Sequence, residues 1–314
     1  MPDPVCEVDD RTSVEARFGL SRCRAHGIGR RCDVVLGSWS LDRDGTPRPG
    51  TLATALDHVL GEALCIHRPE GWWSTTSELS IDFLAPFDAQ SRLQATAVPI
   101  QVEHRGGYAE GRLIDEHGTV VAVGSTWAHH LPPRGDLGAP VARPPCEPAS
   151  MVAAIEDYVR FERVGGPPDS VILTLPGAAS WANVFGLLHG GVWTCLTEIA
   201  AAQLISERNP GLTTARLHMT FVRAARGDGP VTLTARPRHV GSAFAVVEVL
   251  GRAVDDTLCT IATVTARSRT DAVTPAPTDP QGRLDGVSHC SRAAGQRSGV
   301  PPTTRDVFDP STKG

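Results

Sequence analysis

Residues 183–198 read NVFGLLHGGVWTCLTE. Two glycines follow a histidine and a helical run begins at once, although glycine is among the least favourable residues for a helix. Glu198 then stands eight residues after Gly190 in an otherwise apolar stretch. A backbone-exposing helix start and an acid inside an apolar face both need a reason other than helix stability. This segment decides the fold because the chain contains a second, fainter version of it. RPGTLATALDHVLGEALCIHRPEGW, from Arg48, can be set beside HGGVWTCLTEIAAAQLISERNPGL, from His189. Aligning Gly50 with Gly191 places Asp57 on Glu198, seven residues after the glycine in each half. Both runs predict helices of about four turns that stop at a proline-containing turn, Pro69-Glu70-Gly71 and Pro210-Gly211.

The echo continues downstream. TTSELSIDFLAP (75–86) matches TTARLHMTFVRA (213–224), and in each the apolar residues alternate: Leu79, Ile81, Phe83 and Leu217, Met219, Phe221. That is the period of a strand with one buried face. LQATAVPIQVEH, YAEGRLIDEHG and TVVAVGSTWAHH follow in the first half; VTLTARPRHV, AFAVVEVLGRAVDD and LCTIATVTARS follow in the second. CDVVLGSWSL and SVILTLPGA are strand candidates ahead of each helix. One helix cannot be covered by loops alone, so a sheet must wrap it. The expected fold is α+β: two antiparallel sheets, each wrapped on a long central helix and joined edge to edge, which also protects their edges. The halves span 25–130 and 151–267, after an N-terminal segment (1–24), around a Pro-rich linker (131–150) and before a tail (268–314) whose composition predicts disorder.

Composition narrows the function classes. Of 314 residues, 41% are apolar and 21% charged, and the net charge of −5 gives no reason to expect a nucleic-acid partner. Lys313 is the only lysine among the 30 basic residues, so single arginines carry little functional weight. MPDPVCEVDDRTSVEARF has no apolar core of signal-peptide type, and no run approaches a membrane span. A cytoplasmic protein without a membrane partner is expected. The eight scattered cysteines form no C-x-x-C pair and read as reduced thiols used as small apolar side chains. His104, His129, His130 and His239 show no ligand spacing with His189, so no metal is expected. Ser180 and Ser242 lack a G-x-S-x-G context, which disfavours a serine hydrolase.

The pattern N-x5-H-G-G, an acid eight residues after the first glycine, and four strands resembles the hotdog-fold thioesterases of the PaaI type and the related 4-hydroxybenzoyl-CoA thioesterases. Asn183, His189, Gly190, Gly191 and Glu198 carry it. Residues 170–267 match well and 30–130 only in organisation and in the LSIDFLAP strand, so the chain looks like a double hotdog, two fused repeats in place of a dimer. The resemblance implies an acyl-CoA thioesterase, with coenzyme A as part of the substrate and no other cofactor. Tandem halves leave room for a homodimer of such chains.

Thioester hydrolysis needs a group that holds the carbonyl oxygen as it becomes negative, and a carboxylate that activates water or attacks directly. The unpaired N–H groups and dipole of a helix start supply the first, and glycines allow close approach; tight helix–sheet packing is the competing reading of the two glycines. Glu198 lies about 12 Å along the helix from Gly190 at about 1.5 Å per residue, too far to share one carbonyl carbon. The acid for the Gly190 site is expected from the opposing half, at the aligned Asp57, in the crossed manner that the resemblance implies; a solvated helix-face acid is the alternative. In the mirrored site Pro49 stands for Gly190 and Arg48 for His189, and proline has no N–H. One competent and one degenerate site are expected, with Glu198 as the degenerate site's acid, a relic or a structural hydrogen-bonder. Asn183 and His189 are candidates for positioning the loop and the thioester, or for plain loop capping. Arg223, Arg238, Arg105 and also Arg226 are candidates for coenzyme A phosphates, against surface solvation. A non-catalytic acyl-CoA-binding protein of the same fold is the alternative function. A hydratase is disfavoured because Val184, not proline, follows Asn183.

Overall fold

The computed structural model describes residues 13–132 and 154–268. The predicted tail beyond Ser268, the predicted linker after residue 132, and residues 1–12 lie outside the described residues. Ser268 itself closes a strand rather than opening the tail.

The first half runs α1 (Val14–Arg17), β1 (Arg24–His26), β2 (Gly29–Val35), α2 (Ala53–Cys65), β3 (Trp73–Phe83), β4 (Arg92–Glu103), β5 (Gly106–Asp115) and β6 (Val120–Leu131). The second repeats that order: α3 (Ile155–Val159), β7 (Glu162–Val164), β8 (Val171–Leu175), α4 (Gly190–Ser206), β9 (Leu212–Phe221), β10 (Val231–Val240), β11 (Phe244–Arg252) and β12 (Leu258–Ser268). Short 3-10 turns at Ser38–Ser40 and Ala178–Trp181 follow β2 and β8. The strand candidates ahead of each helix are thus shorter than their apolar runs. Each tryptophan there (Trp39, Trp181) turns into the core instead of extending the strand.

All neighbouring strands pair antiparallel, in the order β1-β2-β4-β5-β6-β3-β9-β12-β11-β10-β8-β7. Two sheets meeting edge to edge were expected. The joining edges are β3 and β9, which hydrogen-bond directly, with Ser80 opposite His218 and Ile81 opposite Leu217, so the described residues of the two halves share one sheet of twelve strands. The free edges fall to the three-residue strands β1 and β7, which offer little template for further pairing.

Strand alternation turns Leu79, Ile81, Leu217 and Met219 inward, all fully buried, against the two long helices. Every residue of α4 from Gly191 to Ala201 is buried. Its β-branched residues are poor helix formers, by up to about 0.7 kcal/mol each, but burying a large apolar side chain stabilises by about 1.5–3 kcal/mol. Packing therefore holds this helix. The first helix differs from expectation at its start: Pro49–Leu52 forms a 3-10 turn, and the α-helix begins only at Ala53. Cys32, Cys195 and Cys259 are buried free thiols. Among the described residues no helix is long and apolar enough to cross a membrane, and no group of His, Cys, Asp or Glu is arranged to hold a metal ion.

An aromatic cluster ties the halves together at the helix-start end. Phe18 packs edge-on against Trp39 (5.2 Å) and Trp181 (5.6 Å), and Tyr158 packs on Trp181 (5.4 Å). The Tyr158 hydroxyl donates to the Arg17 carbonyl, and the Trp181 indole N–H to the Val159 carbonyl. The Arg17 guanidinium lies 3.4 Å from the Trp181 ring centroid, a cation–π contact. The segment before β1 is thus built into both halves.

Candidate active site

The loop that delivers α4 is shaped by Asn183. Its side-chain oxygen accepts from the backbone N–H groups of Phe185 (3.0 Å) and Leu187 (3.2 Å). Gly186, at φ 72, makes the turn that these bonds close. The loop is pinned from outside by Leu188 N–H to the Ala225 carbonyl and His189 N–H to the Trp181 carbonyl. Asn183 therefore serves the loop's shape.

His189 is the N-cap of α4, and its Nδ1 accepts from Gly191 N–H at 3.0 Å. That leaves Gly190 N–H without a hydrogen-bond partner among the described residues, at the positive end of a helix of 17 residues. The two glycines have different reasons. A Cβ on Gly191 would sit 2.4 Å from the Thr54 Cα, so Gly191 answers to close packing, although against α2 rather than against the sheet. A Cβ on Gly190 would sit 2.8 Å from Asp57 Oδ2.

Asp57 reaches that place from α2, across the boundary between the halves. It is 8% exposed, so it is not a solvated surface acid. Oδ1 accepts from the Thr76 hydroxyl at 3.1 Å, and Oδ2 lies 3.5 Å from His189 Nδ1. Asp57, His189, Gly190 and Gly191 are thus brought together, with a carboxylate of one half against the helix start of the other.

Thr76 was missed in the sequence, and the reason is local. Strict alternation back from the inward Leu79 would turn Ser77 inward and Thr76 outward. A register shift between Thr76 and Glu78 in the pairing with β6 leaves Ser77 as the extra residue and re-aims Thr76 onto Asp57. The second half repeats this: the β9–β12 register skips Ala215, and Thr214 turns inward. The Thr-Thr pair shared by both halves was the available signal.

Glu15 was also missed. From α1 its Oε1 lies 3.3 Å from His189 Nε2 and 3.7 Å from His58 Nδ1. Burial pushes the Glu15 carboxyl up, but the hydrogen bond from His189 and the charge available to His189 and His58 outweigh it and hold it below the usual carboxylate range.

The mirrored location is closed. Glu198 is fully buried; Oε2 accepts from Gly50 N–H (3.2 Å) and Oε1 from the Thr214 hydroxyl (2.5 Å). Arg48, in the place of His189, pairs with Asp42 at 2.5 Å. Asp42 in turn accepts from the N–H groups of Asp44 and Thr46, as Asn183 does in its own loop. Burial, the largest influence, raises the Glu198 carboxyl, while the Arg48 charge and the bonds from Thr214 and Gly50 pull the other way. The folded chain therefore holds this proton more tightly than the unfolded chain. The contribution to stability is complete below the ordinary carboxylate pKa and is lost as pH rises through the raised value. Glu198→Gln, which does not ionise, is expected to flatten that loss, and thermal melts from about pH 4 to pH 8 check it. Turnover at the Gly190 site is expected to be unchanged in the same variant.

Of the candidate phosphate-binding arginines, Arg226 pairs through its backbone with Leu187 of the loop, whereas Arg238, Arg223 and Arg105 are not drawn into this cluster. Arg238 is exposed and paired with Glu248 of the neighbouring strand at 2.5 Å. Arg223 and Arg105 are exposed, on the segment after β9 and in the β4–β5 turn. Among the described residues no hydrogen bond or ion pair links Arg105, Arg223 or Arg238 to Asp57, His189 or Gly190.

Comparison with known proteins gives a consistent set of likenesses. The family model described as the thioesterase superfamily matches residues 185–260, and the model of the acyl-CoA thioesterase C-terminal domain matches residues 13–126. The chain is 32% identical over 94 residues to 1,4-dihydroxy-2-naphthoyl-CoA hydrolase of Escherichia coli K12, covering 29% of this chain and 67% of that protein. The solved tesB protein of Mycobacterium avium subsp. paratuberculosis superimposes with a TM-score of 0.59 at 11% identity, over 82% of this chain and 98% of its own. A protein of Alicyclobacillus acidocaldarius described as having a hot dog fold superimposes with a TM-score of 0.55 at 12% identity, over 82% of this chain and 98% of its own. At those identities the two structures speak for the fold alone.

Proposed function

Since the chain belongs to the thioesterase superfamily and is a thioester hydrolase, we propose that it cleaves acyl-coenzyme A to a free acid and coenzyme A, at one site per chain. In this reading the thioester oxygen is held by Gly190 N–H at the positive end of α4. Asp57, from the other half, takes a proton from water as the water attacks the carbonyl carbon, or attacks that carbon itself. The negative charge gathers on the oxygen beside Gly190 and returns as the carbon–sulfur bond breaks; the leaving thiolate takes up a proton, and where Asp57 itself attacked, water then cleaves the acyl–Asp57 anhydride to the free acid and restores the carboxylate. Thr76 holds Asp57 in place, and Asn183 and His189 hold the loop.

The observation that carries this reading is the Asp57 carboxylate lying against Gly190 from the opposite half, with the adjacent N–H unpartnered among the described residues. The two halves act as a fused pair, a double hotdog, in which the mirrored helix start is occupied by Glu198 of the opposite half. The match to the acyl-CoA thioesterase C-terminal domain supports an acyl-CoA substrate, and the E. coli relative named for a naphthoyl-CoA makes aromatic acyl groups a sensible part of any panel. Incubation with aliphatic and aromatic acyl-CoAs and a thiol reagent is expected to release free thiol in step with acid. Titration with a non-hydrolysable analogue is expected to give one site per chain; binding without thiol release from any substrate would favour a carrier over a hydrolase.

A further inference from the structure

We propose that Glu15, delivered by the short helix α1 ahead of the first repeat, is a positioning residue that fixes the proton of His189 on Nε2 and so keeps Gly190 N–H as a free donor at the helix start. The proposal rests on the acyl-CoA hydrolase reading above.

The steps are geometric. Gly191 N–H points at His189 Nδ1 at 3.0 Å, which requires a lone pair on that nitrogen. In the neutral ring the proton must then be on Nε2, and Nε2 faces Glu15 Oε1 at 3.3 Å. The opposite tautomer would turn a lone pair toward the Glu15 carboxylate and a proton toward Gly191 N–H, two repulsive contacts in place of two hydrogen bonds. With Nδ1 holding Gly191 N–H, the neighbouring Gly190 N–H is left for the substrate. Asp57 Oδ2, 3.5 Å from Nδ1, is another charged group facing the ring. A proton on Nδ1 would draw that carboxylate toward the histidine and away from water.

The chain contains its own comparison. VEARFG (14–19) aligns with IEDYVR (155–160), with Gly19 (φ 72) and Arg160 (φ 61) both left-handed at the end of the turn. Glu156 is therefore the counterpart of Glu15. At the mirrored start, in the first half, Arg48 stands for the histidine and pairs with Asp42, and Glu156 Oε2 is buried with no hydrogen-bond partner among the described residues. The same acid at the same place loses its partner where the site is closed. The anchoring of α1 is correspondingly firm: Ser13 caps it by accepting from Ala16 N–H, and Tyr158 and Trp181 of the second half grip Arg17.

Glu15→Gln keeps an acceptor for Nε2–H, whereas Glu15→Ala removes it. Glu15→Ala is expected to lower kcat by about 10–100-fold, by analogy with partners that orient metal-ligating histidines, with KM little changed and with the melting temperature close to that of the parent chain. Glu15→Gln is expected to restore most of kcat. Nitrogen-15 spectra of the imidazole rings supply a readout independent of turnover: His189 is expected to carry its proton on Nε2 in the parent chain and in Glu15→Gln, and to lose that preference in Glu15→Ala. A parent His189 protonated on Nδ1, full kcat in Glu15→Ala, or equal damage in both variants would each overturn the proposal. A parent chain that releases no thiol from any acyl-CoA would instead defeat the functional reading, and the spectra would still decide the role of Glu15.

Discussion

Asp57→Asn is expected to cut thioester turnover by about 10²–10⁴-fold, the usual contribution of a positioned acid–base group, while leaving the fold intact. The substitution is nearly isosteric. The new carboxamide oxygen can still accept from Thr76, which lies 3.1 Å from Oδ1, so the local hydrogen bond survives. What is lost is the ability to take a proton from water, or to attack, beside Gly190. Steady-state kinetics with a thermal melt separate the two effects. Because Glu198 is the aligned acid, Glu198→Gln is the matched control; if it proved the more damaging change, the roles of the two carboxylates would be reversed.

Gly190→Pro is expected to lower kcat by at least about 10²–10³-fold, the usual effect of removing one oxyanion donor. Proline is acceptable at the first position of a helix, so α4 is expected to form. Its added carbons would also press on Asp57, since a Cβ at this position already meets Oδ2 at 2.8 Å. The converse change, Pro49→Gly, adds an N–H to the mirrored helix start but is expected to create no second activity. Glu198 already accepts from the adjacent Gly50 N–H, and a Cβ at Gly50 would meet the Glu198 Cβ at 2.7 Å, leaving no room for a carbonyl. Full activity in Gly190→Pro would mean that the chemistry takes place elsewhere on the helices.

Much of this was legible in the sequence because it depends on spacing. The seven-residue separation from glycine to acid places Asp57 and Glu198 on equivalent helix faces, and their burial against the opposite helix start follows from the pairing of the halves. Leu79 and Ile81, or Leu217 and Met219, announced β3 and β9 by alternation. What was not legible depends on breaks in regular period or on contacts between distant segments. Thr76 sits on the inward face only because of a bulge that alternation does not foresee. Glu15 reaches His189 across 174 residues of sequence, from a four-residue helix too short to carry a periodic signal. The edge-to-edge joining of the halves was expected, but not that β3 and β9 make it, because backbone hydrogen bonds between opposite halves are not encoded in the side-chain pattern of either strand alone.

The continuous sheet also has a genetic consequence. In an assembly of two identical chains, every substitution is made twice, so a proline at the helix start would remove both donors together. Here the two helix starts are separate stretches of one chain, and each can change without the other. Pro49 and Arg48 could be accepted on one side while Gly190 and His189 were kept on the other. Once one start is released from chemistry, its acid becomes free to serve as an internal brace. On the proposed one-site reading, fusion converts a symmetric pair of duties into a division of labour, and substitutions in one repeat are no longer a guide to what the other tolerates.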